Sequence, residues 1–238
     1  MHNYVISRHN NITSYHAIII LWHGMKIVAL VPIKLESERI PFKNIRRLGN
    51  HPLCYYILNT LKKVSDIDRI VVYCSSDKIR DYLPDGVEYL QRPASLDKSE
   101  TLGMEIYRKF AEEIVADYYL LCHTTSPYLK VSSIETGIHA IKSGYDSAFT
   151  VNRKKTFVWY DGQPLNYDLN QIPRTQDIKP IYVETSAYYL FSRETLLCDR
   201  RIGDKPFMVE TSELESIDID EEIDFEIAQT LVSIMGEE

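Results

Sequence analysis

The sequence contains no uninterrupted apolar run of about 18 residues, the length that a membrane-spanning helix needs. Its longest early apolar run, residues 17–22, is shorter than the core of a typical secretion signal and follows Asn, His and Ser residues instead of a basic leader. We therefore expect neither a membrane span nor a secretion signal, and we expect the protein to reside in the cytoplasm.

Cysteine is scarce, and no two cysteines form a Cys-x-x-Cys pair. Each cysteine lies in an apolar or strand-like stretch of the chain. Buried free thiols in a reducing compartment are therefore expected for all four, Cys54, Cys74, Cys122 and Cys198.

A basic excess is also missing, since 27 Lys and Arg residues stand against 34 Asp and Glu residues, a formal net charge of −7. Binding to a nucleic-acid backbone usually needs a broad basic surface, so no nucleic-acid partner is expected. The 238 residues, 45% of them apolar, suffice for one substantial domain. We predict an extension over residues 1–24 and a single domain over residues 25–238. A long stretch without clear periodicity, residues 152–180, is expected to form a lobe inserted in that domain.

The most informative stretch begins with an apolar run, residues 27–31, that reads as a buried strand opening into a polar loop. Open α/β sheets bind ligands at the carboxyl ends of their strands. The loop carries Lys34, Arg39 and Lys43, and Pro41 stiffens the turn between the last two. This local basic excess indicates a small polyanionic ligand. The alternative is a solvated surface loop, because Glu36 and Glu38 lie among the cations.

Further apolar and β-branched runs predict strands at residues 70–74, 87–90, 117–122, 146–151 and 181–191. Helical spacing of apolar residues, including Leu102 with Ile106 and Phe110, predicts helices around residues 53–61 and over residues 99–116, 132–142 and 221–234. Alternation of strands and helices predicts right-handed crossovers and parallel strands whose carboxyl ends share one edge. Arg92 and His123 each follow a predicted strand and are expected at that edge.

A pair of carboxylates forms the second strong signal. In extended backbone, Asp218 and Asp220 project to one side while Ile217 and Ile219 face the core, so two oxygen donors can meet one cation. Mg²⁺ fits, because it is usually held by one or two carboxylates together with substrate phosphates and water. The alternative for Asp220 is that it caps the helix that follows.

Residues 32–44 resemble the nucleotide-binding signature of the acylneuraminate cytidylyltransferase family, P-A-R-x-G-S-K-x-I-P-x-K-N, with departures at Lys34, Glu36 and Glu38. Residues 37–41 also resemble the S-T-R-L-P of the related Kdo cytidylyltransferases. Further along, residues 123–127 resemble Q-x-T-S-P with His123 in place of glutamine. The family's R-x-Q-D, Y-E-N-G and D-x-D segments are matched in part at residues 174–177, 182–186 and 218–220.

The resemblance implies an α/β fold, a Rossmann-like, mostly parallel sheet with helices on both faces and an inserted dimerisation lobe. It implies transfer of CMP from CTP to an acidic, sialic acid-like sugar with release of pyrophosphate, for surface polysaccharide or glycan synthesis, by a homodimer. The implied catalytic residues are Lys34, Arg39, Lys43, Asp218 and Asp220, the last two as Mg²⁺ ligands. Implied nucleotide contacts are Lys34, Ser37, Arg39, Lys43, Asn44, Arg92, Ser99 and His123. Implied contacts to the sugar are His123, Arg174, Gln176 and Glu184.

Two alternatives to this function remain open on the sequence. One is a cytidylyltransferase with a different acceptor, such as a Kdo-like sugar, a phosphate or a phosphonate. This alternative is suggested by the departures from the family pattern at Glu36, Glu38, His123 and Thr185. The other is an inactive homologue that binds a nucleotide and has lost turnover through the changes at Lys34 and Glu38.

Overall fold

A seven-stranded sheet forms the centre of the computed structural model, which describes residues 24–37 and 39–236. The predicted extension over residues 1–24 lies, apart from Gly24, outside the described residues, as does Glu38. In chain order, the strands are β1 (Ile27–Ile33), β2 (Arg47–Leu48), β3 (His51–Pro52), β4 (Arg69–Cys74), β5 (Glu88–Gln91), β6 (Tyr118–Cys122), β7 (Ser147–Lys154), β8 (Trp159–Tyr160), β9 (Gln163–Pro164), β10 (Ile181–Ser192) and β11 (Pro206–Glu210).

The central sheet has the strand order β11-β7-β10-β6-β1-β4-β5. Strand β1 pairs in parallel with both β4 and β6, β4 pairs in parallel with β5, and β7 with β11. Of the seven strands described in this sheet, β10 alone runs antiparallel to its neighbours, β6 and β7. The predicted mostly parallel sheet is therefore confirmed, and the carboxyl ends of β1, β4, β5 and β6 lie along one edge.

Helices cover both faces of the sheet. They are α1 (Leu53–Lys62), α2 (Gly103–Glu113), α3 (Val131–Lys142), α4 (Arg193–Leu197) and α5 (Glu222–Met235). Alternate residues of β1 enter different cores: Ile27, Ala29 and Val31 pack with the apolar faces of α1 and α3, and Val28 and Leu30 pack with α2 and α4. Burial on both faces explains why β1 reads as a continuous apolar run. None of the helices in the described part of the chain is long and apolar enough to cross a membrane.

The second predicted helix is shorter than its apolar spacing indicates. It begins at Gly103, because the Leu102 N–H donates to the carboxylate of Glu105 (3.0 Å) and closes the first turn there. The expectation that Leu102 faces the core is wrong, since 68% of this residue is exposed. Tyr107 and Phe110 supply most of the buried face instead.

The cysteine prediction holds for three of the four residues. Cys54, Cys74 and Cys122 are free and buried, and burial raises the pKa of Cys54 to about 12. The prediction is wrong for Cys198, which follows the short helix α4 and is exposed. An apolar neighbourhood in sequence does not bury a residue that stands at the free end of a surface helix.

The lobe over residues 152–180 extends from the long antiparallel pair formed by β7 and β10. It contains the small hairpin of β8 and β9 and one turn of 3₁₀ helix at Thr175–Asp177. A T-shaped contact between Phe157 and Tyr167 (4.8 Å between ring centroids) holds part of it together. The lobe also exposes large apolar side chains, namely Trp159, Tyr160, Leu165, Leu169 and Ile172.

We predict that Gly137→Ala destabilises the protein. A Cβ at this position in α3 would clash with the hydroxyl of Tyr188, which is buried and donates to the Ser133 carbonyl (2.8 Å). Overpacking of this kind costs about 1–3 kcal/mol, which outweighs the helix propensity of alanine. A lower urea midpoint at unchanged slope would show it. In a Tyr188→Phe background, which removes the hydroxyl, the same alanine is expected to cost much less; an equal cost would place the strain elsewhere.

Candidate active site

A cleft of about 420 Å³ opens at the carboxyl ends of β1 and β6. The loop that follows β1 and the residues directly after β6 line it: Pro32, Lys34, Glu36, Ser37, Arg39, Lys43, Asn44, His123, Thr124 and Thr125. Six of the predicted nucleotide contacts therefore share one cleft. A larger cleft of about 590 Å³, bordered by α3, Tyr145 and Phe207, contains none of the predicted site residues.

The amide of Asn44 joins the two walls of the cleft. Its Nδ2 donates to the Lys34 carbonyl (2.7 Å), and its Oδ1 accepts a hydrogen bond from the Thr124 hydroxyl. Asn44 and Thr124 are both buried. The loop after β1 is therefore fixed to the end of β6 in the position that presents Lys34 at the cleft.

A third segment, residues 217–220, is held against the same walls by the backbone of Ile219. Its N–H donates to the Thr125 carbonyl (2.9 Å), and its carbonyl accepts from the buried Lys43 Nζ (2.7 Å). The side chain of Ile219 is fully buried, as the sequence pattern predicts. Burial lowers the pKa of Lys43, although the nearby Asp220 opposes the shift.

Asp220 faces the cations of the loop. Its Oδ1 lies 2.8 Å from Arg39 and 3.6 Å from Lys43, and Arg39 also contacts Glu221 (3.3 Å). The helix-capping alternative for Asp220 is not what the structure shows. Helix α5 has Glu221 at its N-cap, and Asp224 accepts from the N–H groups of Asp220 and Glu221. The carboxylate of Asp220 therefore does not cap the helix and instead pairs with Arg39 and Lys43, which line the cleft.

Asp218 carries a buried carboxylate oxygen, Oδ1, that has no hydrogen-bond partner among the described residues. Thr125 donates a hydrogen bond to this carboxylate, yet burial raises its pKa. An unpaired buried oxygen of a carboxylate is costly and calls for a ligand. Among the described residues no group of three or more His, Cys, Asp or Glu side chains is arranged to hold a metal. Two carboxylates do suit Mg²⁺, which takes its remaining ligands from phosphates and water.

His123 is held by β10 at the back of the cleft. Its backbone N–H donates to the Ala187 carbonyl (3.2 Å), and its ring Nδ1 lies 2.6 Å from the Ser186 carbonyl. Burial lowers the pKa of the imidazole. The register of β10 against β7 shifts between Glu184 and Tyr189, and Ser186 there has a left-handed φ of 57°. We call residues 184–189 the β10 bulge.

Other predicted contacts lie outside the cleft lining. Arg92 follows β5 at the same edge, but its side chain is only 3% exposed and pairs with Asp97 (2.6 Å). Ser99 is exposed in the turn before α2. The Arg92 side chain therefore points into the protein, and its role at a nucleotide base stays a prediction.

The predicted sugar contacts occupy two places. Arg174 and Gln176 lie in the lobe, where Arg174 is exposed and pairs with Asp177 (2.7 Å). Glu184 lies in the β10 bulge and accepts from the Tyr189 hydroxyl (2.6 Å). Glu184 is connected to His123 through two residues of the bulge. The Tyr189 hydroxyl also lies 3.2 Å from Ser186 Oγ, and the Ser186 carbonyl contacts the His123 ring. Arg174 is not among the residues that line the cleft of its own chain.

Sequence reasoning missed several residues of the site. Thr124 and Thr125 fix the walls and Asp218, and Arg201 stacks its guanidinium over the Tyr189 ring (3.9 Å) while lying 3.6 Å from Glu184. Thr125 had a signal, because it stands in the segment that resembles Q-x-T-S-P. Arg201 had none, since it follows α4 in a surface loop and reaches the bulge only through the fold.

The cytidylyltransferase family model matches residues 28–235, which span all the segments that form this cleft. The chain belongs to the cytidylyltransferase family. It is 28% identical over 223 residues to an N-acylneuraminate cytidylyltransferase of Oncorhynchus mykiss, a match that covers 88% of this chain and 51% of that protein. The chain thus spans about half the length of the first curated relatives it matches.

Two other similarities cover their counterparts fully. A CMP-N,N'-diacetyllegionaminic acid synthase of Legionella pneumophila is 25% identical over 229 residues, covering 90% of this chain and 99% of that protein. A solved structure of CMP:2-keto-3-deoxy-manno-octonic acid synthetase, complexed with CTP, superposes with a TM-score of 0.68 at 12% identity. That match covers 89% of this chain and 100% of the other, and it shows that this cytidylyltransferase shares the fold.

We predict that Asp218→Asn stabilises the metal-free protein at pH 7, by about 1 kcal/mol, because it removes a buried charge that lacks a full set of partners. Since the folded state raises the pKa of Asp218, the wild-type protein loses stability as pH rises from about 3.9 through the higher folded-state pKa. The gain from asparagine should therefore be larger at pH 7 than at pH 4. Chemical denaturation in EDTA at both pH values measures it.

Asp220→Asn serves as the matched control. Its carboxylate is half-exposed and paired with Arg39, so the substitution should lower the free energy of unfolding by about 0.5 kcal/mol. If Asp218→Asn, like Asp220→Asn, lowered the free energy of unfolding of the metal-free protein, the Asp218 carboxylate would already be stabilised by its surroundings without a ligand. The case for a ligand at Asp218 would then fail.

Proposed function

We propose that this protein transfers CMP from CTP to the hydroxyl group of an acidic sugar and releases pyrophosphate. One observation carries the proposal: three cations, Lys34, Arg39 and Lys43, line one cleft at the carboxyl edge of parallel strands, and two carboxylates contact that lining. Asp220 pairs with Arg39 and Lys43, and Asp218 accepts a hydrogen bond from Thr125. A nucleoside triphosphate needs both sets, cations for its phosphate oxygens and carboxylates for its metal.

The phosphates of CTP belong beside the loop after β1. Arg39 is half-exposed and held by Asp220 and Glu221, so it can exchange a carboxylate for a phosphate at small cost. Lys43 is buried and stays fixed to Ile219, and Lys34, Ser37 and Asn44 complete the nucleotide contacts we propose. The cytosine base is assigned to Arg92 and Ser99, which follow β5 at the same edge.

Asp218 and Asp220 are the residues we propose as Mg²⁺ ligands, and the unpaired Asp218 Oδ1 supports them. When bound, the ion would neutralise charge on the phosphate oxygens. The protein's part in the reaction is positioning and charge stabilisation: the acceptor hydroxyl attacks the α-phosphorus in line with the departing pyrophosphate. No covalent intermediate with the protein is needed.

An acidic sugar is the acceptor class that we favour. Two relatives are named for acids of this kind, an N-acylneuraminate and N,N'-diacetyllegionaminic acid. On this chain, His123 lines the cleft directly after β6, and Glu184 lies in the β10 bulge, whose Ser186 carbonyl contacts the His123 ring. Arg174 and Gln176 lie in the lobe. A planar guanidinium suits a carboxylate because both oxygens can be met at once. The CMP-sugar product would serve surface polysaccharide or glycan synthesis, and we place the reaction in the cytoplasm.

We further propose that the protein is a homodimer through its lobe. Arg174 and Gln176 are not among the residues that line the cleft of their own chain, and we propose that they contact the sugar in the site of the other subunit. The exposed apolar side chains of the lobe support this assembly, with Tyr160 74% and Ile172 67% exposed.

CTP should stabilise the protein in a Mg²⁺-dependent manner. At about 100 times its dissociation constant, a ligand adds roughly 2.7 kcal/mol, which raises Tm by roughly 5–10 °C for a chain of this size. The measurement is a thermal-shift series with CTP, UTP, ATP and GTP, each with Mg²⁺ and with EDTA. Pyrophosphate release is then measured with sialic, legionaminic and octulosonic acids and with phosphate and phosphonate acceptors.

The outcomes separate the candidate functions. A CTP-selective shift with pyrophosphate release only from acidic sugars supports the proposal, and release only from a phosphate or phosphonate would replace the acceptor class. Binding of CTP without release from any acceptor would indicate an inactive homologue. Equal shifts with all four nucleotides would refute selection of CTP.

Tyr160→Asp with Ile172→Asp should convert a dimer into a folded monomer, because each charge would be buried at the interface. Sedimentation equilibrium measures the mass, and circular dichroism verifies folding. Val115→Asp, at an apolar residue exposed elsewhere, is the control that should leave the mass unchanged. A wild-type monomer at micromolar concentration would contradict the assembly.

A further inference from the structure

The ring of His123 is held in one tautomer. A carbonyl oxygen can only accept a hydrogen bond, so the 2.6 Å contact with Ser186 requires that Nδ1 carry a hydrogen. In the neutral imidazole the other nitrogen, Nε2, is then a proton acceptor. Because the side chain of His123 lines the cleft, this acceptor belongs to the same site as the proposed phosphate-binding residues.

The β10 bulge is what places the carbonyl there. Ser186 has a φ of 57°, a left-handed conformation that costs a non-glycine residue energy, and the Ala187 carbonyl accepts the His123 N–H. Backbone and ring of His123 are therefore both fixed by consecutive residues of β10. Strained backbone of this kind persists where the surrounding structure over-determines it, as at sites that must hold a group in one orientation.

The charged groups around the His123 imidazole have opposite effects on its pKa. Asp218 and Asp220 favour its protonation, Arg201 disfavours it, and burial, the largest effect, lowers its pKa. Other charged or titratable groups around it are Lys34, Glu36, Arg39 and Lys43 on the loop after β1 and Glu184 and Tyr189 on β10. The ring is accordingly neutral at pH 7 and able to take up a proton.

We propose that Nε2 of His123 takes the proton of the attacking hydroxyl group, so that His123 is the general base of the transfer reaction. The proposal rests on the proposed function. As the hydroxyl oxygen bonds to the α-phosphorus, the bond from that phosphorus to the pyrophosphate oxygen breaks, and its electron pair leaves with pyrophosphate. The hydroxyl proton passes to Nε2, and the imidazolium returns it to water afterwards. The family segment Q-x-T-S-P has a glutamine at the position of His123. That glutamine cannot act as a general base, since an amide takes up no proton near neutral pH.

Glu36 is the competing proton acceptor in the cleft lining. It is exposed and lies on the loop among cations, and among the described residues of β10 none forms a hydrogen bond with it. Glu36→Gln therefore tests the competing assignment, and it should leave the pH profile unchanged.

The experiment compares His123→Gln and His123→Asn with the wild type. Asparagine keeps an N–H near the Nδ1 position for Ser186 and lacks the distal nitrogen, whereas glutamine places a non-basic amide near the Nε2 position. Both variants should lose about 100-fold or more in kcat, the usual contribution of a general base. The acid limb of kcat against pH should disappear, while both variants should keep a Mg²⁺-dependent thermal shift with CTP. His139→Gln, at an exposed histidine of α3, is the matched control and should retain full activity.

Three results would overturn the proposal. Wild-type kcat and an unchanged acid limb in His123→Gln would show that no proton passes to the ring, while the proposed function would stand. Loss of the acid limb in Glu36→Gln instead would assign the base to Glu36. If the wild-type protein bound CTP but released no pyrophosphate with any of the acceptors tested, both the transfer reaction and its base would be overturned.

Discussion

The backbone of Ile219 is the point on which the site depends. Its N–H and carbonyl are each taken by a different segment, Thr125 after β6 and Lys43 after β1, and its side chain is buried against Ile40 and Phe225. Releasing either hydrogen bond would leave a buried polar group unpaired, at about 1–3 kcal/mol. Three segments that are far apart in sequence are thereby fixed to one another. Asp218 and Asp220, the neighbours of Ile219 on either side, are aimed by the same contacts.

The charges of the cleft are unevenly satisfied, and the imbalance is informative. The cations are paired before any ligand arrives, Arg39 with Asp220 and Glu221, which keeps a basic cluster stable within an acidic protein. Among the residues that the structure describes, neither Oδ1 of Asp218 nor the hydroxyl of Thr185 in the β10 bulge has a hydrogen-bond partner. Asp218 accepts a hydrogen bond from Thr125 of the cleft lining, and Thr185 precedes Ser186, whose carbonyl contacts the His123 ring. Stability is given up where a ligand can restore it, as is common at functional sites.

The antiparallel strand β10 gives the site its second half. A parallel strand in this position would present only its end to the cleft, but β10 passes alongside β6 and contributes the bulge from its middle. The bulge fixes His123, carries Glu184 and supports the stack of Arg201 on Tyr189. The part of the cleft that we propose for the phosphates is therefore built from loops at strand ends, and the part that we propose for the acceptor from an irregularity within a strand.

Much of the fold and part of the site were predictable from the sequence. The buried run of β1, the helical spacing in α1 and α3, and the alternation of Ile217, Asp218, Ile219 and Asp220 are local patterns, and local patterns report periodicity and burial. The start of α2 at Gly103 was not predictable from apolar spacing, because the Glu105 carboxylate decides it. Nor was the exposure of Cys198, which depends on where α4 ends.

The sequence by itself determined the class of fold, the basic loop after β1 and the carboxylate pair, since each depends on residue types within a few positions of one another. Only the tertiary structure decided which partners these residues take. Lys43 meets Ile219 across 176 residues of sequence, Arg92 turns inward to Asp97, and the tautomer of His123 follows from a carbonyl 63 residues away. Hydrogen-bond partners are chosen by distance in space, which a linear pattern does not contain until the strands have paired.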